Sequence, residues 1–336
     1  MALVRRNILH DENALKKYVT GVELLKKERT GRTTRNFGIP GPENPVYTYD
    51  LFVIWHIQAG TFPIPRNGDP MVRNYAHRGP VFLPWHRLML ILVERNIQRI
   101  LGEDNSFALP YWDWSADGDD GSPTDAPIWT PEYMGGQGNP VSDGPFGFYP
   151  NDPNNFTVRL ESGPDGRPSQ AGNGQGRGLV REFARSWPEG WETLPTSADV
   201  KAALDFAPDS PNPKPEDRYD VLDFSVNSDG FRSRLEGWHP SGRPWTHNQV
   251  HLWTGGDMLP LSSPNDPVFF LHHCNVDRTW ESWLQSYGRM YTPDMTAPDT
   301  YAGERIDDRL ALPTNYPYTP RNMLDQSSWC TYDQLP

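Results

Sequence analysis

Cysteine is almost absent. Cys274 and Cys330 are the only two in 336 residues, which excludes a disulfide framework and any cysteine-rich zinc or iron–sulfur site and leaves room for one bridge at most. Any soft-metal chemistry therefore falls to histidine. Long apolar runs are missing too: the longest, near Leu88–Val93, is far short of the roughly 20 residues that span a bilayer. The start MALVRRNILHDENALKK carries charge where a secretory signal needs an apolar stretch. The expectation is a soluble chain with no export signal of its own, either cytoplasmic or exported with a helper. Basic charge is in deficit, with 31 Lys and Arg against 43 Asp and Glu and a formal net charge of -12. That balance argues against nucleic acid and against an anionic membrane surface as partners. A small or neutral ligand is what remains. The hydrophobic fraction is only 36%, yet 13 Trp, 14 Tyr and 14 Phe supply large rings from which a core can be built.

The organisation is that of one domain over residues 1–336 with many loops, since 35 Pro and 29 Gly exceed average usage. Between 115 and 180 the chain is dense in turn formers and lacks sustained periodicity, which reads as a loop-rich surface elaboration rather than a second domain. Helical patterns stand out around it. Leu15, Val19, Val22 and Leu25 recur at three- and four-residue spacing. A second helix begins near Tyr49 and includes Leu51, Ile54 and Trp55. A third covers Leu83–Leu101, with Pro84 in its first turn. Trp245–Trp253 is a short fourth, and Asp266–Tyr287 a long fifth, with Asp266 as N-cap and Pro267 at the first helical position. Strand candidates such as Phe156–Leu160 are few. The fold class is mainly α.

Histidine placement is the chemical clue. His247 and His251 are four apart, so both project from one helix face and can reach one metal ion. His56 and His86 lie in apolar helices, where an unpaired imidazole is costly to bury and a metal would satisfy it. The fifth helix carries His272 and His273. His273 shares a face with Phe269 and Asp277, whereas His272 points about 100 degrees away, so one of the two at most is expected to serve the same metal. Six neutral imidazoles in two sets of three suit copper, zinc or iron. No HExxH pattern is present, and no carboxylate lies at ligand spacing within the pairs. His10 and His239 read as surface or structural residues.

Four stretches, in order, carry a resemblance. Phe82-Leu83-Pro84-Trp85-His86-Arg87, Leu109-Pro110-Tyr111-Trp112-Asp113-Trp114, His247-Asn248-x-x-His251, and Ser263 to His273 followed by Asp277-Arg278 closely resemble the tyrosinase family of binuclear type 3 copper proteins, most strongly its compact bacterial members. The resemblance implies a single domain with a central four-helix bundle holding two copper ions, with O2 as co-substrate. It implies His56, His77 and His86 as ligands of the first copper and His247, His251 and His273 as ligands of the second, Phe269 selecting His273 over His272. Glu236 matches a glutamate that, with Asn248, orients a water beside the substrate. Without the family, Glu236 reads as an ordinary surface carboxylate. Some compact relatives use a small copper-delivery helper protein, and the resemblance implies such a partner here.

Two departures from the family pattern bear on activity. Neither cysteine lies near His77 in sequence, so the thioether that plant, fungal and molluscan members often carry is not expected. After Gly255-Gly256-Asp257-Met258 the chain places Leu259 and Pro260, where compact relatives have small residues, so Met258, Leu259 and Pro260 are expected at the substrate entrance. The reading is oxidation of phenols, o-diphenols and o-aminophenols by O2 to o-quinones or quinone imines, with some ortho-hydroxylation of monophenols. The alternative is a haemocyanin-like oxygen carrier. That reading lacks room for a shielding domain, because only about sixty residues, loop-like and proline-rich, follow Arg278.

Overall fold

In the computed structural model, which describes residues 3–103, 106–149, 151–152, 154–184, 193–209, 214–220, 229–238, 245–311, 313 and 316–336, strand β1 (Leu3–Arg5) leads into helix α1 (Glu12–Lys27). The Asp11 carboxylate caps α1 by accepting from the Ala14 N–H at 2.9 Å, and Lys26 and Lys27 close its last turn. Leu15, Tyr18, Val22 and Leu25 form its buried face, while Val19 is only half-buried. Gly21 lets α1 lie close on a neighbouring helix, for a Cβ there would stand 2.6 Å from the Ile97 side chain. A short antiparallel pair, β2 (Arg29–Thr33) with β3 (Pro45–Tyr47), then delivers the chain to α2 (Thr48–Thr61). Helix α3 (Phe82–Leu101) ends at Gly102, which takes the left-handed conformation of a C-terminal cap.

Three short helices follow that the sequence periodicity does not reveal: α4 (Trp114–Asp120), α5 (Ser197–Leu204) and α6 (Phe231–Glu236). Each is too short for a 3.6-residue period to stand out. Helix α7 (Thr246–Thr254) and the long α8 (Val268–Tyr287) complete the set around the site, and α9 (Pro320–Met323) is a single turn near the far end. Pro267 already has helical angles, φ -59 and ψ -22, and the extended Asp266 accepts from the Val268 N–H at 3.0 Å. The capping expected of Asp266 is therefore present, with the helix counted from one residue later. The strand expected at Phe156–Leu160 lies further along, as β4 (Leu160–Ser162) paired antiparallel with β5 (Pro168–Gln170). Strand β6 (Cys330–Tyr332) pairs in parallel with β1. Cys274 and Cys330 are both buried and free, so the one bridge that composition allowed is not formed. Among the described residues no helix is long and apolar enough to cross a membrane.

The expectation of a surface elaboration at 115–180 needs correction. Ile128, Trp129, Met134, Val141, Phe146 and Val158 are all buried within the same hydrophobic cluster as the long helices. Loops can be buried there because their polar backbone finds partners: the Arg181 guanidinium donates to the Met134 and Gly135 carbonyls at 2.7 and 2.8 Å and pairs with Asp266 through two bonds of 2.7 and 2.8 Å. Turn-rich composition reported backbone irregularity correctly and burial wrongly.

A second ionic cluster fixes the helices behind the site. Arg5, fully buried on β1, donates to Glu94 of α3 at 3.0 Å and to Asp277 of α8 at 3.2 Å. Arg87 of α3 pairs with the other Asp277 oxygen and lies 4.0 Å over the Trp280 ring. The Tyr332 hydroxyl adds a 2.6 Å bond to Asp277. Asp277 thus collects three partners from three segments. Removing one member of such a cluster leaves buried cations uncompensated, a loss of roughly 3–5 kcal/mol. Asp277→Ala is therefore expected to lower unfolding free energy by about that amount, read from urea denaturation against the wild type; an effect under about 1 kcal/mol would show that the cluster does not hold α3 to α8.

Candidate metal centre

Four buried helices and one loop bring seven histidines together. His56 comes from α2, His86 from α3, His247 and His251 from one face of α7, and His272 and His273 from α8, while His77 stands on the loop between α2 and α3. That loop is shaped by Asn74, whose side-chain oxygen accepts from the Ala76 and His77 N–H groups at 3.1 and 2.8 Å. The rings fall into two groups. His56, His77 and His86 have centroids 4.9 to 5.6 Å apart. His247, His251 and His273 are separated by 4.5 to 5.7 Å. Within each group the nitrogens available as ligands lie within 4.8 Å of one another, and both groups consist of histidine alone. They meet where His86 stacks on His273, centroids 4.3 Å apart and planes within 7°.

Second contacts fix which nitrogen faces inward. Nδ1 of His56 lies 2.6 Å from the Leu261 carbonyl, that of His86 2.8 Å from the Phe82 carbonyl, that of His247 3.0 Å from the Glu236 carbonyl, and that of His251 2.6 Å from the Met258 carbonyl. A carbonyl can only accept, so in each case Nδ1 carries the proton and Nε2 keeps its lone pair. The Nε2 atoms of His56, His86, His247 and His273 are buried with no partner among the described residues, which is costly unless a further group meets them. Burial pushes the imidazole pKa down to about 3 in His56 and His251 and about 4 in His247. In His77, His86 and His273, burial and the neighbouring rings push it well below the ordinary value. The rings are neutral, as metal ligation requires. Phe82 and Phe269 pack against both groups, Phe82 at 4.8 Å from His86 and His247 and Phe269 at 5.1 Å from His56 and 4.2 Å from His273.

His272 does not follow the helix-face expectation. It sits 5.0 Å from both His247 and His251 and joins the second group as a fourth histidine, with neither ring nitrogen partnered among the described residues. A 100° step separates adjacent residues on α8, but α7 crosses so as to meet both directions. His10 is exposed, and His239 lies outside the described residues.

Glu236 is far from a surface carboxylate, being 1% exposed. One oxygen accepts the Arg78 backbone N–H at 2.6 Å and the other pairs with Arg232 at 2.6 Å; Arg232 is itself held by Asp220 through two 2.9 Å bonds. Arg232 four residues before Glu236 on one helix face was a readable hint of that pairing. Asn248 is half-buried, with its side-chain oxygen 3.1 Å from His247 Nδ1. Both line a pocket of about 450 Å³ that also contains His56, His77, His247 and His251, within the roughly 300–1,000 Å³ of small-molecule sites. Leu259 and Pro260 stand exposed on its rim. Met258 does not: its side chain is fully buried, and its contribution is the carbonyl that holds His251. Neither that carbonyl nor Leu261 has any sequence signature.

Behind the His77 loop, Glu304 is buried and pairs with Arg73 at 3.0 Å. Its second oxygen lies where a Cβ on Gly79 would stand, 2.0 Å away, so that loop closes on it only through a glycine.

Residues 46–286 match the family model described as the common central domain of tyrosinase. The chain is 36% identical to the tyrosinase of Streptomyces glaucescens over 297 residues, covering 86% of this chain and 87% of that protein. It is 33% identical to the grixazone synthase of Streptomyces griseus over 309 residues, covering 85% and 90%. In structure it is similar to a polyphenol oxidase from Thermothelomyces thermophila, with a TM-score of 0.67 at 22% identity, covering 100% of this chain and 89% of that one.

Burial raises the Glu304 pKa from 4.5 to about 7. Between those values the folded protein keeps a proton on Glu304 that the unfolded chain has lost, so this residue's contribution to stability falls as pH rises through that window, opposite in sign to that of the buried neutral histidines. The loss is expected to approach 3 kcal/mol in order of magnitude, and Glu304→Gln should remove it. Urea denaturation of both proteins between pH 5 and 8 checks this; parallel curves would refute it.

Proposed function

The chain belongs to the tyrosinase family of copper-dependent phenol oxidases, and from that premise we propose that His56, His77 and His86 hold one copper ion, that His247, His251 and His273 hold a second, and that O2 is the co-substrate. It is a tyrosinase-like polyphenol oxidase. The proposed reactions are conversion of o-diphenols and o-aminophenols to o-quinones and quinone imines, and ortho-hydroxylation of monophenols. The observation that carries the reading is the set of buried, unpartnered Nε2 atoms in two touching groups of neutral imidazoles. Uncharged imidazole donors of this kind suit copper as they suit zinc and iron, and the family match favours copper. When bound, copper supplies the redox chemistry with O2.

The chain's own residues do the rest. Phe82 and Phe269 wall the histidines from water on the core side. Backbone carbonyls hold His56, His86, His247 and His251 in orientation, as outer partners of metal ligands usually do. A phenol would enter past Leu259 and Pro260, which guard the mouth, and meet Glu236 and Asn248 on the pocket wall. Each Glu236 oxygen has one partner and keeps a free lone pair, so with the Asn248 amide it can hold a water that takes the phenolic proton. Among the described residues the pocket is open at this rim, where Met71 is 65% and Leu259 42% exposed. That openness supports turnover over covered oxygen carriage. We take residues 1–336 as one domain, supported by a hydrophobic cluster that runs from Ile8 to Leu324. A small copper-delivery partner belongs to the same proposal, supported by the depth at which the histidines lie.

The test is oxygen uptake by the copper-loaded protein on a monophenol, catechol and o-aminophenol in parallel. Uptake on the two ortho-substituted substrates is expected, with about two copper ions per chain. His86→Ala should abolish uptake and lower the bound copper, whereas full activity in that variant would remove the assignment. Asn248→Ala should reduce the monophenol rate several-fold more than the catechol rate, within the roughly 10²–10⁴-fold worth of a positioned proton acceptor; equal losses would take Asn248 out of proton transfer.

A further inference from the structure

The pocket wall carries two charged residues among the described ones, Arg78 and Glu236. Glu236 is already answered, since one oxygen is bonded to the Arg78 backbone N–H and the other to Arg232. The Arg78 guanidinium is not. Among the described residues it makes no hydrogen bond and no ion pair, and it rests on the Trp238 ring, 4.4 Å from the centroid. Stacking on a ring occupies the face of a guanidinium and leaves its edge, with its fork of N–H donors, free. The side chain is half-buried. A cation partly stripped of water and lacking a partner gains from an anion brought to it.

The backbone gives a second, independent reason to see Arg78 as placed for its side chain. Its φ is +65, a left-handed conformation that glycine or asparagine adopts with less strain. The bond from its N–H to Glu236 holds it there. Around it the rim is apolar: Pro70, Met71, Trp238, Leu252, Leu259 and Pro260. Asp69 is the neighbouring acid, but it is exposed and turned to the Met71 N–H at 2.8 Å, where solvent screens it. The chain's overall charge of -12 is likewise screened beyond about 8–10 Å at ordinary salt, so the nearest guanidinium dominates at the mouth.

We propose that Arg78 sets the substrate class of this pocket, selecting phenols, catechols and o-aminophenols whose ring substituent ends in a carboxylate over neutral and cationic ones of similar size. The inference rests on the reading of this pocket as the phenol site. The apolar rim receives the ring and the guanidinium edge receives the carboxylate in a two-point grip.

The experiment compares 3-(3,4-dihydroxyphenyl)propionate, 4-ethylcatechol and dopamine on the copper-loaded full chain, since methylene spacers keep the charge from altering ring reactivity. In the wild type kcat/KM is expected to favour the propionate over dopamine by about tenfold, mostly through KM, with the preference shrinking as salt is raised. Arg78→Gln should bring that ratio close to one, Arg78→Glu should reverse it, and Arg78→Lys should keep part of it. A wild-type ratio near one, or a ratio that survives in Arg78→Gln, overturns the proposal. If none of the three is oxidised, the oxidase reading fails instead. Calorimetric titration of the copper-free chain with the same three compounds still decides the role of Arg78: tighter binding of the propionate that is lost in Arg78→Gln upholds it, and equal binding refutes it.

Discussion

Burying seven imidazoles without protonating them is the constraint to which the rest of the structure answers. Water would both protonate the rings and compete for their lone pairs, so the site has to sit inside the core. There an unpaired ring nitrogen is costly, and four of the seven, His56, His86, His247 and His251, have a carbonyl at Nδ1. Two of those carbonyls belong to helices: Phe82 one turn before His86, and Glu236 at the end of α6. The other two, Met258 and Leu261, belong to the irregular segment between α7 and α8. The segment between two ligand-bearing helices thus orients one ring in each histidine group. It is as much a part of the centre as the helices are.

The helices supply position, and buried charge supplies register. His86 is followed by Arg87, and Asp277 lies one turn after His273, so the ion pair between them fixes α3 against α8 within one residue of one histidine and one turn of another. Arg181 ties the start of α8 to the loop segment that carries it, through Asp266. A hydrophobic interface would tolerate a slide of one helix along its neighbour; a buried ion pair between them does not. The benefit is geometric as much as energetic, since such pairs stabilise little over apolar packing of the same shape.

The long helices were legible because each is long enough to display its period, and two of them begin with a recognisable signal, Pro84 in one and Asp266 with Pro267 in the other. The six histidines carried over from the family resemblance all fall in the two groups. What escaped was whatever depends on a neighbour distant in sequence. Glu236 looks like a surface carboxylate until Arg232 and the Arg78 N–H are seen to enclose it. His272 points away from His273 on an isolated helix and into the second group once α7 crosses it. The segment from 115 to 180 has the composition of solvent-facing loops, yet Trp129 and Phe146 anchor it in the core because Arg181 satisfies its carbonyls. Composition reports what a segment cannot do regularly; burial depends on who arrives to cover it.

The parallel pairing of β1 with β6 has a consequence for how the molecule comes together. Leu3 meets Cys330, and Arg5 meets Asp277, contacts that span nearly the whole chain. During synthesis the arginine on β1 can meet Glu94 once α3 is made, but Asp277 only when α8 has emerged, and the strand that pairs with β1 is made later still. Contacts so distant along the chain form late and slowly. The residues of α2 and α3 that carry the first histidine group are thus made well before those of α7 and α8, and the centre can be closed only when the second half of the chain is present.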